Sequence, residues 1–403
     1  MPRATRLTAP LAVLALALPL AACVDNAPAA DPSGTAAGGP AAISVDSSAD
    51  ACALSTTSAP SGNVVFKVKN TGADVTEFYL LAEDGLRIVS EVENIGPGIS
   101  RDLVVVAKPG TYVAACKPGM VGDGIRQAFT VTDSGAVITP SGELGDQIKA
   151  ATTAYIGYVK DQSEQLLTGT QAFVDAYTSG KDDEARALYA STRLHWERIE
   201  TVAESFGDLD PSMDLREADL AEGEEWTGWH LLEKDLWAPS PEANGGKAYV
   251  PLTDAQRTDY AGRLLADTVE LNTRTHAAEF ATTITADFIG NGAKGLLDEV
   301  ATGKVTGEEE IWSHTDLWDF QANVDGARVA YDGLRDVVVT KDPALAEDLD
   351  ARFDTLTGLL DTHRKGDGFV LYTELSKDQV KELSVAVDAL SEPLSRLTAA
   401  VVL

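Results

Sequence analysis

The chain of 403 residues predicts a multidomain protein in which a small β-sandwich precedes an all-α helix bundle. Three observations predict it: short alternating apolar segments up to Val131, a change to helical periodicity after Pro140-Ser141-Gly142, and enough length to bury a core in each part. In the first part Asn63–Asn70, Glu77–Leu81, Leu86–Val89, Ile99–Val106 and Ala128–Val131 read as strands. Thr71-Gly72, Asp84-Gly85, Gly96-Pro97-Gly98 and Pro109-Gly110 turn the chain between them. In the second part Asp146–Tyr177, Asp183–Phe206, Thr253–Phe280, Ala286–Thr302, Asp319–Val339, Ala344–Arg364 and Lys377–Val402 repeat apolar residues at helical spacing. Ser179-Gly180, Gly290-Asn291-Gly292 and Gly366-Asp367-Gly368 are stop signals, and Asp342-Pro343 and Ser376 are starts.

The first residues do not belong to either domain. Arg3 and Arg6, the apolar run Leu11–Leu20 and the small residues before Cys23 form a secretory signal over residues 1–22. Leu20-Ala21-Ala22-Cys23 has the form of a bacterial lipobox, which would lipidate Cys23; the other reading is an ordinary cleavage site that contains a cysteine. Residues 23–42 are rich in Ala, Gly, Pro and Asp and read as a flexible tether. This places the body, residues 43–135 and 142–403, outside the cytoplasm, on the outer face of the membrane or in a periplasm. There Cys52 and Cys116 are a disulfide pair or, if reduced, two thiolate ligands.

Composition restricts the function. With 63 Asp+Glu against 32 Lys+Arg the net charge is −31, which argues against a nucleic-acid partner and favours cations. The hydrophobic share of 44% excludes wholesale disorder. His195, His230, His276, His314 and His363 all lie in the helical part, so the β-domain lacks the His₂Cys set of a blue-copper site. His-Glu-x-x-His, Gly-x-Ser-x-Gly and a phosphate-binding loop are absent from the sequence.

Three segments carry candidate chemistry. In Leu194-His195-Trp196-Glu197-Arg198-Ile199-Glu200, followed by Asp208, Asp210 and Asp214, Glu197 and Glu200 share a helix face. Turned inward they require a cation; turned outward they are a solvated acidic face. In Gly228-Trp229-His230-Leu231-Leu232-Glu233 the His and Glu are three apart, as in the Glu-x-x-His pattern of di-iron bundles. Ser313-His314-Thr315-Asp316-Leu317-Trp318-Asp319-Phe320-Gln321-Ala322-Asn323 mixes polar and aromatic residues densely; Thr315 or Asp316 caps the next helix, or His314 and Asp316 line a site.

Taken in this order, the three segments resemble the EfeO family of iron-uptake components, in which a cupredoxin-like domain precedes an imelysin-like helical domain. The resemblance implies a binding protein, not an enzyme, which passes iron (Fe²⁺ or Fe³⁺) to an EfeU-like membrane permease beside an EfeB-like haem peroxidase. The membrane would be met through the lipid anchor only. It implies metal ligands at Glu197, Glu200 and Asp214, with Glu299 as a fourth, and at His230 and Glu233 in the same or a separate site. For the β-domain it implies copper or iron on Cys52, Glu77 and Cys116, with Met120 as a thioether neighbour, unless the cysteines are bridged. The enzymatic alternatives are a metallopeptidase with zinc on His230 and Glu233, and a copper-assisted ferroxidase. A scaffolding lipoprotein is the alternative without a metal.

Overall fold

A computed structural model describes residues 41–135, 141–221, 223 and 225–403. The signal segment, Cys23 and most of the tether lie outside the described residues. The β-part has nine strands: β1 (Ala41–Ser47), β2 (Cys52–Leu54), β3 (Ser58–Pro60), β4 (Gly62–Asn70), β5 (Thr76–Leu81), β6 (Ile88–Ile95), β7 (Ser100–Ala107), β8 (Gly110–Cys116) and β9 (Ile125–Thr132). They form two sheets, ordered β2-β1-β4-β7 and β3-β9-β8-β5-β6. In β4 the alternation places Val64, Phe66 and Val68 inside, with Lys67 and Lys69 facing water. Phe66 meets Phe78 and Phe129 with ring centres 5.1 and 5.3 Å apart, which closes the core between the sheets.

Cys52 on β2 is bonded to Cys116 at the end of β8, so the bridge ties one sheet to the other. This corrects the copper reading, because both sulfurs are used and no thiolate is offered to a metal. Met120 is 43% exposed and adds no thioether to a site. The strands β1, β2, β3 and β8 were not read from the sequence; β2 and β3 have only three residues each, too few to show a period.

The second part is helical: α1 (Gly142–Thr178), α2 (Asp182–Glu197), α3 (Glu200–Glu204), α4 (Leu209–Asp214), α5 (Trp229–Trp237), α6 (Asp254–His276), α7 (Phe280–Thr283), α8 (Ala286–Thr302), α9 (Asp316–Lys341), α10 (Pro343–Asp361), α11 (Lys377–Leu394) and α12 (Leu397–Val402). A two-stranded hairpin, β10 (Arg364–Lys365) with β11 (Gly368–Phe369), follows α10. α1 packs against α2, α6 and α9, and its Phe173 meets Tyr177, Tyr189 and Trp229. Among the described residues no helix is long and apolar enough to cross a membrane.

Gly290-Asn291-Gly292, expected to stop a helix, lies inside α8. Three expected helices are broken, Thr253–Phe280 at Ala277, whose backbone is extended, and two others. The stretch Asp183–Phe206 turns at Arg198-Ile199, where the carbonyl of Glu197 accepts a hydrogen bond from Asn323 Nδ2 at 2.7 Å. Lys377–Val402 divides after Leu394, next to Pro393, whose ring removes a backbone donor.

The two parts meet along α8. Asp287 Oδ2 accepts from Val106 N at 2.8 Å, and Asn291 Nδ2 donates to Ser90 Oγ and Val104 O at 2.8 and 3.0 Å. A cavity of about 530 Å³ lies along this contact and includes neither His230 nor any carboxylate close to it.

Candidate metal centre

The centre is assembled by helix ends. Gly228 starts α5 with φ +89°, a left-handed conformation natural to glycine, and a Cβ there would collide with the backbone of Met213. That close approach sets the first turn of α5 against the last turn of α4. His230 Nε2 therefore lies 3.4 Å from Asp214 Oδ1 and 3.6 Å from Glu309 Oε1. Among the described residues it makes no hydrogen bond within ordinary range, although it is buried. His230 Nδ1 faces Glu233 Oε2 at 3.5 Å, and Glu233 Oε1 accepts from the Trp312 and Ser313 N–H groups at 3.0 and 2.6 Å.

α2 and α9 complete the surroundings. Arg193 is fully buried and reaches Asp214 and Glu197; its Nε lies 2.7 Å from Glu310 Oε1 and 3.7 Å from Asp319 Oδ2. Trp196 Nε1 donates to Asp214 Oδ2 at 2.7 Å. Lys304, on the single 3₁₀ turn Lys304–Thr306 after α8, lies 3.0 Å from Glu197 Oε2 and 2.9 Å from Glu200 Oε2. On α9 the spacing of Asp316, Asp319 and Asn323 puts all three on one face. Asp316 does not cap its helix: its Oδ1 accepts from Glu310 N at 3.1 Å, and Thr315 makes no side-chain cap bond either.

Electrostatics define the centre more sharply than any distance. Among the described residues, the carboxylates of Glu197, Glu200, Asp214, Glu233, Glu309, Glu310, Asp316 and Asp319 are all buried here, opposed by Arg193, Lys304 and one imidazole. Buried carboxylates persist only if protonated or matched by a cation. Burial, outweighing Lys304, pushes Glu197 and Glu200 up to about 8. Glu309 goes the other way, to about 2, because Lys304 and His230 overcome its burial. Burial and Arg193 oppose a charge on His230, but Asp214, Glu233 and Glu309 outweigh them and hold the imidazole well above its usual range. The centre thus holds protons that an incoming cation can replace.

Two sets of atoms are close enough together to share one ion: Asp214, His230 and Glu309, or His230, Glu233 and Glu310. Access favours the first. A cleft of about 410 Å³, lined by Arg216, Glu217, His230, Glu308, Glu309 and Trp312, opens onto His230 and Glu309. Glu233 is held by backbone amides and orients the imidazole, as a carboxylate behind a ligating histidine does.

Of the residues expected from the sequence, Asp214, His230 and Glu233 come together. Glu197 and Glu200 lie beside them but are occupied by Arg193, Lys304 and Asn323 and belong to neither set. Glu299 is half-buried, and burial raises it to about 7. Glu77 is not a partner of the cysteines; it accepts from the Tyr79 hydroxyl, and Glu91 and Glu299 act on one another and on it across the domain contact. Arg193, Lys304, Glu309, Glu310, Asp319 and Asn323 were not singled out as ligating or balancing groups. Asp319 and Asn323 lie in the polar and aromatic segment Ser313–Asn323 and Glu309 and Glu310 in the run Glu308-Glu309-Glu310, whereas nothing in the sequence marks Arg193 or Lys304.

The fold and the centre define a β-sandwich joined to a helical domain with a buried, carboxylate-rich site of the kind that holds a cation. The imelysin (peptidase M75) family model matches residues 151–397. Over 349 residues the chain is 36% identical to the iron uptake system component EfeO of Escherichia coli K12, covering 86% of this chain and 88% of that protein. The same figures hold for the EfeO proteins of Escherichia coli O157:H7 and Shigella flexneri. The crystal structure of a putative iron-regulated protein A precursor from Parabacteroides distasonis superimposes with a TM-score of 0.50 at 16% identity, covering 66% of this chain and 97% of that one, a likeness of fold alone. The chain belongs to the imelysin family and, within it, to the EfeO proteins.

Proposed function

We propose that this protein is an iron-uptake component that takes iron as cargo at the His230 centre, and that it binds and does not catalyse. The observation that carries the reading is the surplus of buried carboxylate over buried cation around an imidazole nitrogen with no hydrogen bond. The names of the EfeO relatives support iron as the cargo. Mixed oxygen and nitrogen donors suit Fe²⁺, whereas the carboxylates alone suit the harder Fe³⁺. Loading is an exchange: the ion takes His230 Nε2, Asp214 and Glu309, and protons leave. In the same reading Cys23 carries the lipid, the body works outside the cytoplasm, and iron passes to an EfeU-like permease with an EfeB-like haem peroxidase as the third component.

The test is calorimetric titration of the mature chain with Fe²⁺ under anaerobic conditions, Fe³⁺-citrate, Zn²⁺ and Cu²⁺, repeated on His230→Gln and Asp214→Asn. Iron binding that is lost in both variants is the expected result. Zinc preferred over iron, together with chelator-sensitive cleavage of a casein substrate, would replace this reading with a metallopeptidase.

A further inference from the structure

Lys304 is a buried ammonium set against Glu197 and Glu200 beside the His230 set. Resting on the reading of the centre as an iron site, we infer that Lys304 is a tethered counter-cation, paired with Glu197 and Glu200 in the metal-free protein and displaced from them when an ion enters the neighbouring set of His230, Asp214 and Glu309.

The donor inventory carries this. Lys304 Nζ donates to Glu200 Oε2 and Oε1 at 2.9 and 3.2 Å and is ion-paired with Glu197 Oε2 at 3.0 Å. Asn323 Nδ2 adds contacts at 3.2 and 3.0 Å to one oxygen of each carboxylate, which holds both groups converged. Asn323 Oδ1 is left over: buried, with no hydrogen bond among the described residues. Both oxygens of the buried Asp319, one helical turn earlier, are also without hydrogen bonds. These buried oxygens without donors add to the surplus of negative groups beside the ammonium, which a positive ion entering the centre would relieve in its place.

The backbone supplies the means of withdrawal. Lys304 begins a single 3₁₀ turn bounded by Gly303 and Gly307, the latter at φ +77°. That turn leads directly into Glu309 and Glu310, so a lysine that leaves draws on the segment that also carries a ligand of the His230 set. Arg193 has no comparable freedom, since its guanidinium is tied to Asp214, Glu197 and Glu310 on three different segments. A displaceable lysine keeps the pocket charge-balanced when empty, weakens apparent affinity by competing with the ion, and returns to expel it.

Amine acetylation of the mature chain, read by mass spectrometry, tests this with Fe²⁺ (anaerobic) and redox-inert Ga³⁺ as probes. Lys304 is expected to stay protected in the metal-free protein and to react at least about tenfold faster once metal is bound, while Lys341, far from the centre, keeps one rate throughout. Lys304→Met is expected to bind metal roughly tenfold more tightly, the competing state having been removed, and Lys304→Arg to keep the competition. If calorimetry shows metal bound while Lys304 stays protected, the lysine is a fixed ion pair and the inference falls, with the His230 reading intact. If neither probe binds at all, the metal reading itself falls.

Discussion

Arg193→Met removes the guanidinium that neutralises the innermost carboxylates, and the structure sets the size of the effect. The side chain is fully buried, contacts Asp214, Glu197 and Glu310, and has Glu309 and Asp319 at 3.5 and 3.7 Å. Removing one partner of a buried charge pair costs about 3–5 kcal/mol, because the other charge stays buried without compensation. At about 2–4 °C per kcal/mol for a domain of this size, the melting temperature of the metal-free protein should fall by roughly 6–20 °C. The loss should be smaller at pH 5.5 than at pH 8. Without Arg193 the carboxyls have higher folded-state pKa values, so the folded state holds more protons and loses stability as pH rises through them. A metal ion should restore part of the loss, about 2.7 kcal/mol at one hundred times its dissociation constant. Thermal unfolding followed by circular dichroism, with and without Fe²⁺ under anaerobic conditions, measures all three effects. A drop of less than about 3 °C in the metal-free protein would refute the electrostatic account.

Four further outcomes follow from the structure. Gly228→Ala should abolish iron binding by moving α5 off Met213, and should cost at least about 1–2 kcal/mol from the left-handed backbone alone; unchanged affinity in calorimetry would show that this approach does not position His230. Iron affinity should rise from pH 6 to pH 8, by up to about tenfold per unit for each proton displaced, because His230, held protonated by Asp214, Glu233 and Glu309, must release its proton to ligate. Burial also pushes Glu197 and Glu200, facing Lys304, Arg193 and Asp214, up to about 8 in the metal-free protein. The same raised values mean that the metal-free protein loses stability as pH climbs from the ordinary carboxyl range toward 8, and a flat profile in either measurement contradicts the assignment. Cys52→Ser with Cys116→Ser opens a bridge spanning 64 positions and should cost the β-domain about 4 kcal/mol on the chain-entropy account, seen as a lower-temperature calorimetric transition that is absent from the parent protein.

Much of the architecture was legible because it is local. Ala286–Thr302 emerges as α8 with both ends as read, its start capped by Thr285, whose hydroxyl accepts from Phe288 N, and its end marked by Gly303. Asn63–Asn70 is a strand for an equally local reason, since Val64, Phe66 and Val68 recur every second residue. The Gly228–Glu233 segment and the polar face of Asp316, Asp319 and Asn323 were visible as clusters, because spacing alone places such residues together on a helix. Tertiary structure alone decided which charges meet. Periodicity reports what faces inward along one element, but neutralisation depends on what stands opposite, often a hundred residues away. Lys304 sits in a three-residue turn with no period of its own, yet it reaches Glu197 and Glu200 on the other side of the centre. Arg193 reads as an ordinary helical arginine until Asp214, Glu310 and Asp319 converge on it from other segments. The amino-acid sequence by itself determined the two domains and where the acidic chemistry lies, while only the folded chain brought the buried His230, Asp214 and Glu309 together, two of them beneath a cleft, and set the buried Arg193 and Lys304 against the carboxylates.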